Sequence, residues 1–320
     1  MSTRRSFIAT AAASTLLPPS ARAQAGTLRW VVPYPPGGGT DVLARTLAEA
    51  MRGPLGMSIV VENKPGASTN IGAQEVARAA PDGRTVLQAD NALLAFNEHL
   101  FRKLPVDPEK DFSYIGGIGK FPLALVVHPD FPARTVKEFL AYVRARPGGV
   151  SYASPGNGSP HHLAMEMFKR RTGSFLVHIP YRGAAPAMQD VMAGQVPVMF
   201  LDLASGLTTM QSGKVRVIAY GGKARTPLLP GVPTLIEENV RDVEVFAFQG
   251  LLGPAGMAPA NVLRLNAELN KALADTAVLK RFLDLGMETM PGTPEQFRAF
   301  ARGEARRWGP IIRDSGIALD

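Results

Sequence analysis

Three consecutive glycines, Gly37, Gly38 and Gly39, followed by Thr40 and Asp41, are the first residues in the chain whose types and spacing point to chemistry. Glycine accepts positive φ and lets a ligand approach the backbone, while Thr and Asp suit the cap and first turn of a helix. A strand feeding such a turn aims free backbone N–H groups, and the positive end of a helix dipole, at whatever lies above the sheet edge. That is an anion receptor. A nucleotide is a poor fit, because Thr40-Asp41 stands where a Walker loop carries Lys-Ser/Thr, and the third glycine of a dinucleotide fingerprint is missing.

A second stretch repeats the arrangement. In residues 151–162, SYASPGNGSPHH, a short strand runs into Pro155-Gly156-Asn157-Gly158, and Ser159-Pro160 stand where an N-cap and first helical residue belong. Two such helix ends, each with free N–H groups and facing each other, would clamp one carboxylate. A charged substitution at Gly38 or Gly158 is then expected to abolish capture without unfolding the chain. His161 and His162 point about 100° apart on a helix and cannot share a metal ion unaided. His162 and Glu166 share a face, but without further ligands the pair reads as a helix-surface hydrogen bond, so no metal and no cofactor is expected.

A third stretch, residues 178–202, carries Tyr181, Arg182 and Gly183 ahead of a helix and Asp202 just past a strand end, where α/β sheets hold ligands. Arg182 reads either as the partner of a distal carboxylate or as a surface arginine. Asp202 reads either as the acceptor for a ligand hydroxyl or as a residue that fixes a loop. Catalysis has a weaker footing: there is no G-x-S-x-G nucleophile elbow, and only Ser159, His162 and Asp202 remain as an exported-hydrolase alternative.

The turns need a parallel α/β scaffold. Strand patterns at 28–32, 58–62 and 85–89 alternate with helical spacing at 40–51 and 70–80. The apolar run at 123–127 reads as a crossing into a second lobe, and 243–252 as the return. Between them lie a helix at 135–146 and strands at 195–200 and 215–220. Helical stripes from 262 onward, and the capping box Thr293-Pro294-Glu295-Gln296, brace the first lobe. Lobe one is therefore 26–122 plus 246–320 and lobe two 123–245, with a hinge at the two crossings.

Residues 1–25 read as a twin-arginine export signal, with Arg4-Arg5 ahead of a short apolar stretch and a small-residue cleavage site near residues 23–25. Its removal takes away three arginines and no acid, lowering the formal charge from +8 to +5. That charge is scattered and lacks aromatic interleaving, which argues against nucleic acid. No run approaches the roughly 20 apolar residues of a membrane span. The chain has no cysteine, which removes disulfide and thiolate chemistry. About 295 remaining residues exceed one comfortable core and favour two lobes. An exported, periplasmic monomer is expected.

The segments VVPYPPGGGTDVLAR, NKPGAS…IGAQEVARAAPDGRTVL, KLPVDPEKDFSYIG, VSYASPGNGSPHHLAMEMF, HIPYRGAAPAMQDVMAGQVPVMFLD and VPTLIEE…GLLGPAG together resemble the substrate-binding proteins of tripartite tricarboxylate transporters, the Bug-type receptors. The resemblance spans the whole chain after the leader. It implies a type II periplasmic binding protein: two α/β lobes, two crossover strands and one ligand in the cleft. Family members bind carboxylates such as citrate, dicarboxylates, aspartate, glutamate, nicotinate or aromatic acids, and hold one carboxylate with two glycine loops, partly through ordered waters.

Carried onto this chain, the resemblance implies a first loop containing Tyr34, Pro36, Gly37, Gly38, Gly39 and Asp41. The second contains Gly156, Asn157, Gly158, Ser159 and His162. Tyr181, Arg182, Gly183 and Asp202 line lobe two, and Asp90 and Asn91 line lobe one. The chain departs from the family at 92–98, ALLAFNE, where a Thr-His-Ala-Ile-Asn-Pro-like run is usual, so the distal half of the ligand meets different residues. The implied activity is capture by hinge closure and delivery to a membrane permease, with signalling to a sensor kinase as the alternative.

Overall fold

Apolar, β-branched segments form the strands; helices return the chain to start neighbouring strands in parallel within each lobe, whereas the two crossover strands pair antiparallel with all their neighbours, so the scaffold is mixed rather than wholly parallel. The computed structural model describes residues 26–319, so the export signal read at 1–25 lies outside the described residues. In lobe one, β1 (Thr27–Val32) leads to α1 (Gly39–Leu55), β2 (Ser58–Asn63), α2 (Asn70–Ala77) and β3 (Thr85–Asp90). β1 pairs in parallel with β2 on one side and β3 on the other. Leu28, Trp30, Val31 and Val32 of β1 and Leu43, Leu47 and Met51 of α1 are all fully buried in one core cluster. Gly56, at φ 62, ends α1 in the left-handed region that suits glycine.

A π-helical turn (Ala92–Phe96) and α3 (Asn97–Leu100) follow, then β4 (Phe112–Val127), α4 (Val136–Arg144), β5 (Ser151–Ser154), α5 (Pro160–Thr172), β6 (Val177–Pro180), α6 (Ala184–Met192), β7 (Val198–Asp202), α7 (Leu203–Gln211) and β8 (Arg216–Tyr220). β9 (Phe246–Pro254) returns to lobe one, and α8 (Pro259–Ala274), α9 (Thr276–Asp284), β10 (Glu288–Thr289) and α10 (Pro294–Asp314) complete the chain. The strand order is β2-β1-β3-β9-β4-β7-β5-β6, with β8 and β10 also on β4.

β4 is the axis of this arrangement. Its residues from Phe112 to Pro122 pair with β9, and those from Leu123 to Val127 pair with β7 and β8. The returning chain runs beside it: Leu123 N donates to Val245 O at 2.9 Å, and Val245 N to Gly221 O at 2.9 Å.

Within the run at 92–98, Ala92–Phe96 folds as the π-turn, and Asn97 and Glu98 begin α3. All five residues of the turn are buried, and Phe96 meets Trp308 of α10 edge-on, with centroids 5.2 Å apart. Tertiary packing sets this conformation, which local propensity does not specify. The capping box at the start of α10 forms in both halves: Gln296 N donates to Thr293 Oγ1 at 3.2 Å and Thr293 N to Gln296 Oε1 at 2.8 Å. α10 braces lobe one as its sequence indicates, but its far end also reaches lobe two, where Asp314 pairs with Arg170 of α5. Beyond it, Leu319 N donates to Leu100 O at 2.9 Å.

Candidate ligand site between the lobes

The first glycine turn leaves β1 through Pro33 and enters α1 with Gly37 at φ 84 and Gly38 extended at φ −77. No side chain caps α1. Its leading N–H groups lack intrahelical partners, as in any helix. Asp41 does not compete for a ligand, because its buried carboxylate is occupied. It accepts from Gly37 N, from Arg45 Nε and Nη2, and from Asn63 Nδ2, all at 3.0 Å. Burial works to raise its pKa, but the Arg45, Gly37 and Asn63 hydrogen bonds outweigh it and hold the carboxyl below its usual value.

Beneath the turn is a buried network that sequence reading missed. Trp30 Nε1 donates to Gln88 Oε1 at 3.0 Å, Gln88 Nε2 donates to Thr40 O at 3.1 Å and to Gln249 Oε1, and Gln249 Nε2 donates to Thr40 Oγ1 at 2.6 Å. Gln249 belongs to β9, so the start of α1 is tied directly to a crossover strand. Asn91 does similar work: its Oδ1 accepts from Phe248 N at 2.6 Å and its Nδ2 donates to Phe246 O at 3.3 Å.

Tyr34 Oη donates to Asp90 Oδ2, and Ala92 N donates to Asp90 Oδ1 at 3.1 Å. Burial pushes the Asp90 carboxyl up to about 6, a rise that Tyr34 and the neighbouring N–H groups only partly offset. The native state therefore holds this proton more tightly than the unfolded chain, and ionisation costs stability as the pH climbs from about 4 to above 6. Asp90→Asn should remove that cost. Its stability relative to wild type should improve by about 2 kcal/mol between pH 4 and pH 7 in urea unfolding, and a difference that does not change with pH would refute the assignment.

In lobe two, the second glycine loop is held by its own side chains. Ser159 caps α5, accepting from His162 N at 3.2 Å, and Gly158 N donates to His162 Nδ1 at 3.1 Å. Gly156 N donates to Ser154 Oγ at 3.2 Å, and that hydroxyl also meets His178 Nε2 at 2.6 Å. The His162 and His178 rings stack 3.8 Å apart and 7° from parallel, and the Tyr152 ring lies beside them, its centroid 4.9 Å from His178 and 6.3 Å from His162. Glu166 Oε1 accepts from Tyr152 Oη at 2.6 Å and Lys169 Nζ at 2.7 Å, and lies 4.0 Å from His162 Nε2. His162 therefore supports the loop from behind. Burial holds both imidazoles well below the usual value, His162 at about 3 and His178 at about 4.

The expectation of two equally free helix ends is modified accordingly: Gly156, Gly158 and Ser159 have spent their N–H groups within the loop, and Asn157 is exposed. The neighbouring α6 starts at Gly183 with no side-chain cap, and Gly183 N donates to Pro155 O at 3.0 Å, fixing it beside this loop. Tyr181 Oη donates to Asp190 Oδ2 at 2.6 Å, and Arg182 is exposed with no hydrogen bond or ion pair among the described residues. Asp202 caps α7, accepting from Ser205 N at 2.8 Å, and its Oδ2 lies 2.9 Å from Nε2 of His161, a residue left out of the sequence-based site. Ser159, His162 and Asp202 form no nucleophile–base–acid chain, since Asp202 pairs with His161 and His162 with the backbone.

The two lobes face each other at these turns. A Cβ placed on Gly39 would lie 3.5 Å from Ala204 Cβ of α7, and one on Gly158 would meet Leu100 of α3 and Leu319. Cavities of about 310 Å³ beside Gly26, Arg84 and Arg264, and about 490 Å³ beside Met210, Arg216 and Leu229, contain none of these residues.

Two α/β lobes, joined by adjacent crossovers and presenting glycine turns to one another, define a type II periplasmic binding protein. The family model described as tripartite tricarboxylate transporter family receptor matches residues 43–317. The chain belongs to that receptor family. It is similar to BugT of Bordetella pertussis, 34% identical over 91% of this chain and 90% of that protein. Among solved structures it is similar to R. palustris Rpa4515 with adipate, at 30% identity, TM-score 0.86, and 92% and 99% coverage of the two chains. MatC from Rhodopseudomonas palustris with bound malate is 31% identical, with TM-score 0.81 and coverage of 90% and 99%.

Proposed function

We propose that this chain is a periplasmic receptor that captures a small carboxylate by closing its lobes and delivers it to a tripartite-type membrane permease, making and breaking no covalent bond. The observation that carries the reading is the uncapped start of α1, held rigidly by Gln88 and Gln249 and turned toward lobe two. Adipate and malate, the ligands of two relatives, are small dicarboxylates, which supports the class.

The reading puts the lobe boundaries at Pro122/Leu123 and Val245/Phe246, which is supported by β4 exchanging β9 for β7 and β8 as its partners after Pro122. Closure follows from differential affinity: only the closed form brings groups of both lobes to the same ligand. Each charge-assisted hydrogen bond contributes roughly 1.5–3 kcal/mol, so a few around one carboxylate support a micromolar complex near −8 kcal/mol after ordering costs.

A thermal-shift screen of refolded, ligand-stripped protein against mono-, di- and tricarboxylates, amino acids and aromatic acids tests the class. A ligand at 100 times its dissociation constant adds about 2.7 kcal/mol, which should raise the midpoint by several degrees. No shift with any carboxylate would overturn the reading. Uptake in a strain lacking the receptor tests delivery.

A further inference from the structure

We infer that His161, oriented by Asp202, selects acids that carry a hydrogen-bond donor, a hydroxyl or an ammonium, close to the captured carboxylate. The inference rests on the carboxylate reading above. His161 lies in the first turn of α5 and is 8% exposed. Its Nε2 faces the buried Asp202 Oδ2 at 2.9 Å, while Asp202 Oδ1 accepts from Ser205 N at 2.8 Å. Burial opposes ionisation of Asp202, but His161 and the Ser205 N–H keep its pKa below the usual carboxylate value.

An ionised carboxylate only accepts, so the ring donates to it from Nε2; in the neutral imidazole, the form that serves as acceptor beside an ionised Asp in a hydrolase triad, Nδ1 is then a lone-pair acceptor. That atom is buried and has no hydrogen-bond partner. Buried acceptors are almost always satisfied, and an orphan one in a binding cleft points to a donor supplied by the ligand.

The location fits. Asp202 opens α7, and Ala204 two residues on lies 3.5 Å from the position of a Cβ on Gly39, at the uncapped end of α1 that receives the carboxylate. A second carboxylate is disfavoured at Nδ1, because it would set acceptor against acceptor beside the ionised Asp202. A hydroxyl supplies the missing hydrogen. An ammonium supplies it and is also attracted by Asp202.

Calorimetric titration of the ligand-stripped protein with propionate, lactate and alanine, and with succinate, malate and aspartate, tests this. Wild type should bind a donor-bearing member of one triplet about tenfold or more tightly than its unsubstituted analogue. The ranking of hydroxyl against ammonium within that triplet identifies the donor. His161→Leu should bring that ratio to within about twofold of one. Asp202→Asn still caps α7, but its amide can donate to Nε2 and move the ring hydrogen to Nδ1, so the ratio should fall or invert. Midpoints of the ligand-free variants report folding separately. Equal affinities within both triplets in wild type, or a ratio that survives in both variants, would overturn the inference. If none of the six acids binds, and the broader screen shows no carboxylate binding either, the carboxylate reading itself fails and takes this one with it.

Discussion

Gly38→Glu should weaken ligand binding by about a hundredfold or more, the equivalent of losing two charge-assisted hydrogen bonds, while leaving the unfolding midpoint of the ligand-free protein nearly unchanged. Gly38 is extended, so a side chain there requires no unusual backbone. The nearest atom to an added Cβ is Pro35 O at 3.9 Å. The new carboxylate would sit at the positive end of α1, where it occupies the N–H groups and repels an anionic ligand. Gly38→Ala is the control and should bind close to wild type. Calorimetric titration measures both, and wild-type affinity in Gly38→Glu would remove α1 from the site. Gly158 does not offer the same test. It has φ 72, and a Cβ would stand 2.7 Å from Leu100 Cδ1, so the tolerance expected at both glycines applies to Gly38 alone.

Acid should destabilise the wild type more steeply than a His162→Asn variant. The His162 imidazole titrates at about 3 in the folded chain against 6.5 unfolded, because burial, and then the His178 and Lys169 charges, disfavour its protonated form. The stability this contributes is fully present above pH 6.5 and is lost as the pH falls toward 3, since the unfolded chain takes up the proton first. By pH 4 the loss is about 3 kcal/mol, with a smaller share from the more exposed His178, whose charge solvent screens. The groups facing His162 are Tyr152 from β5, His178 from β6 and Glu166 with Lys169 on α5 itself. Asparagine can still accept from Gly158 N but does not titrate. Urea unfolding from pH 7 to pH 4 makes the comparison, and parallel profiles for the two proteins would show that the stack does not govern acid stability.

Period and punctuation in the sequence carry most of the scaffold. The β1 run, the glycine turn, the α1 stripe and the Thr293 box are local patterns, and each forms where its residues indicate. The candidate site was less legible, because its supports are long-range. Gln88 and Gln249 are 161 positions apart, and His161 and Asp202 are 41 apart. No local spacing joins such residues. Ser159 illustrates a different limit: the sequence marks it as an N-cap, and it is one, yet that very role consumes N–H capacity that the clamp picture had reserved for a ligand. Similarly, Asp41 and Asn91 have the right chemistry to touch a ligand, but Arg45, Asn63 and the β9 backbone engage them first.

The segment after α10 has a practical consequence for anyone building a reporter from this receptor. Leu319 is hydrogen-bonded to Leu100 in lobe one and lies against the second glycine loop in lobe two. A fluorophore attached there would sit where the lobes meet and should change brightness as they part. A bulky substituent at Leu319 would wedge the seam and distort measured affinities. Attachment near Gly26, at the start of β1 and beside Arg84, avoids that interference.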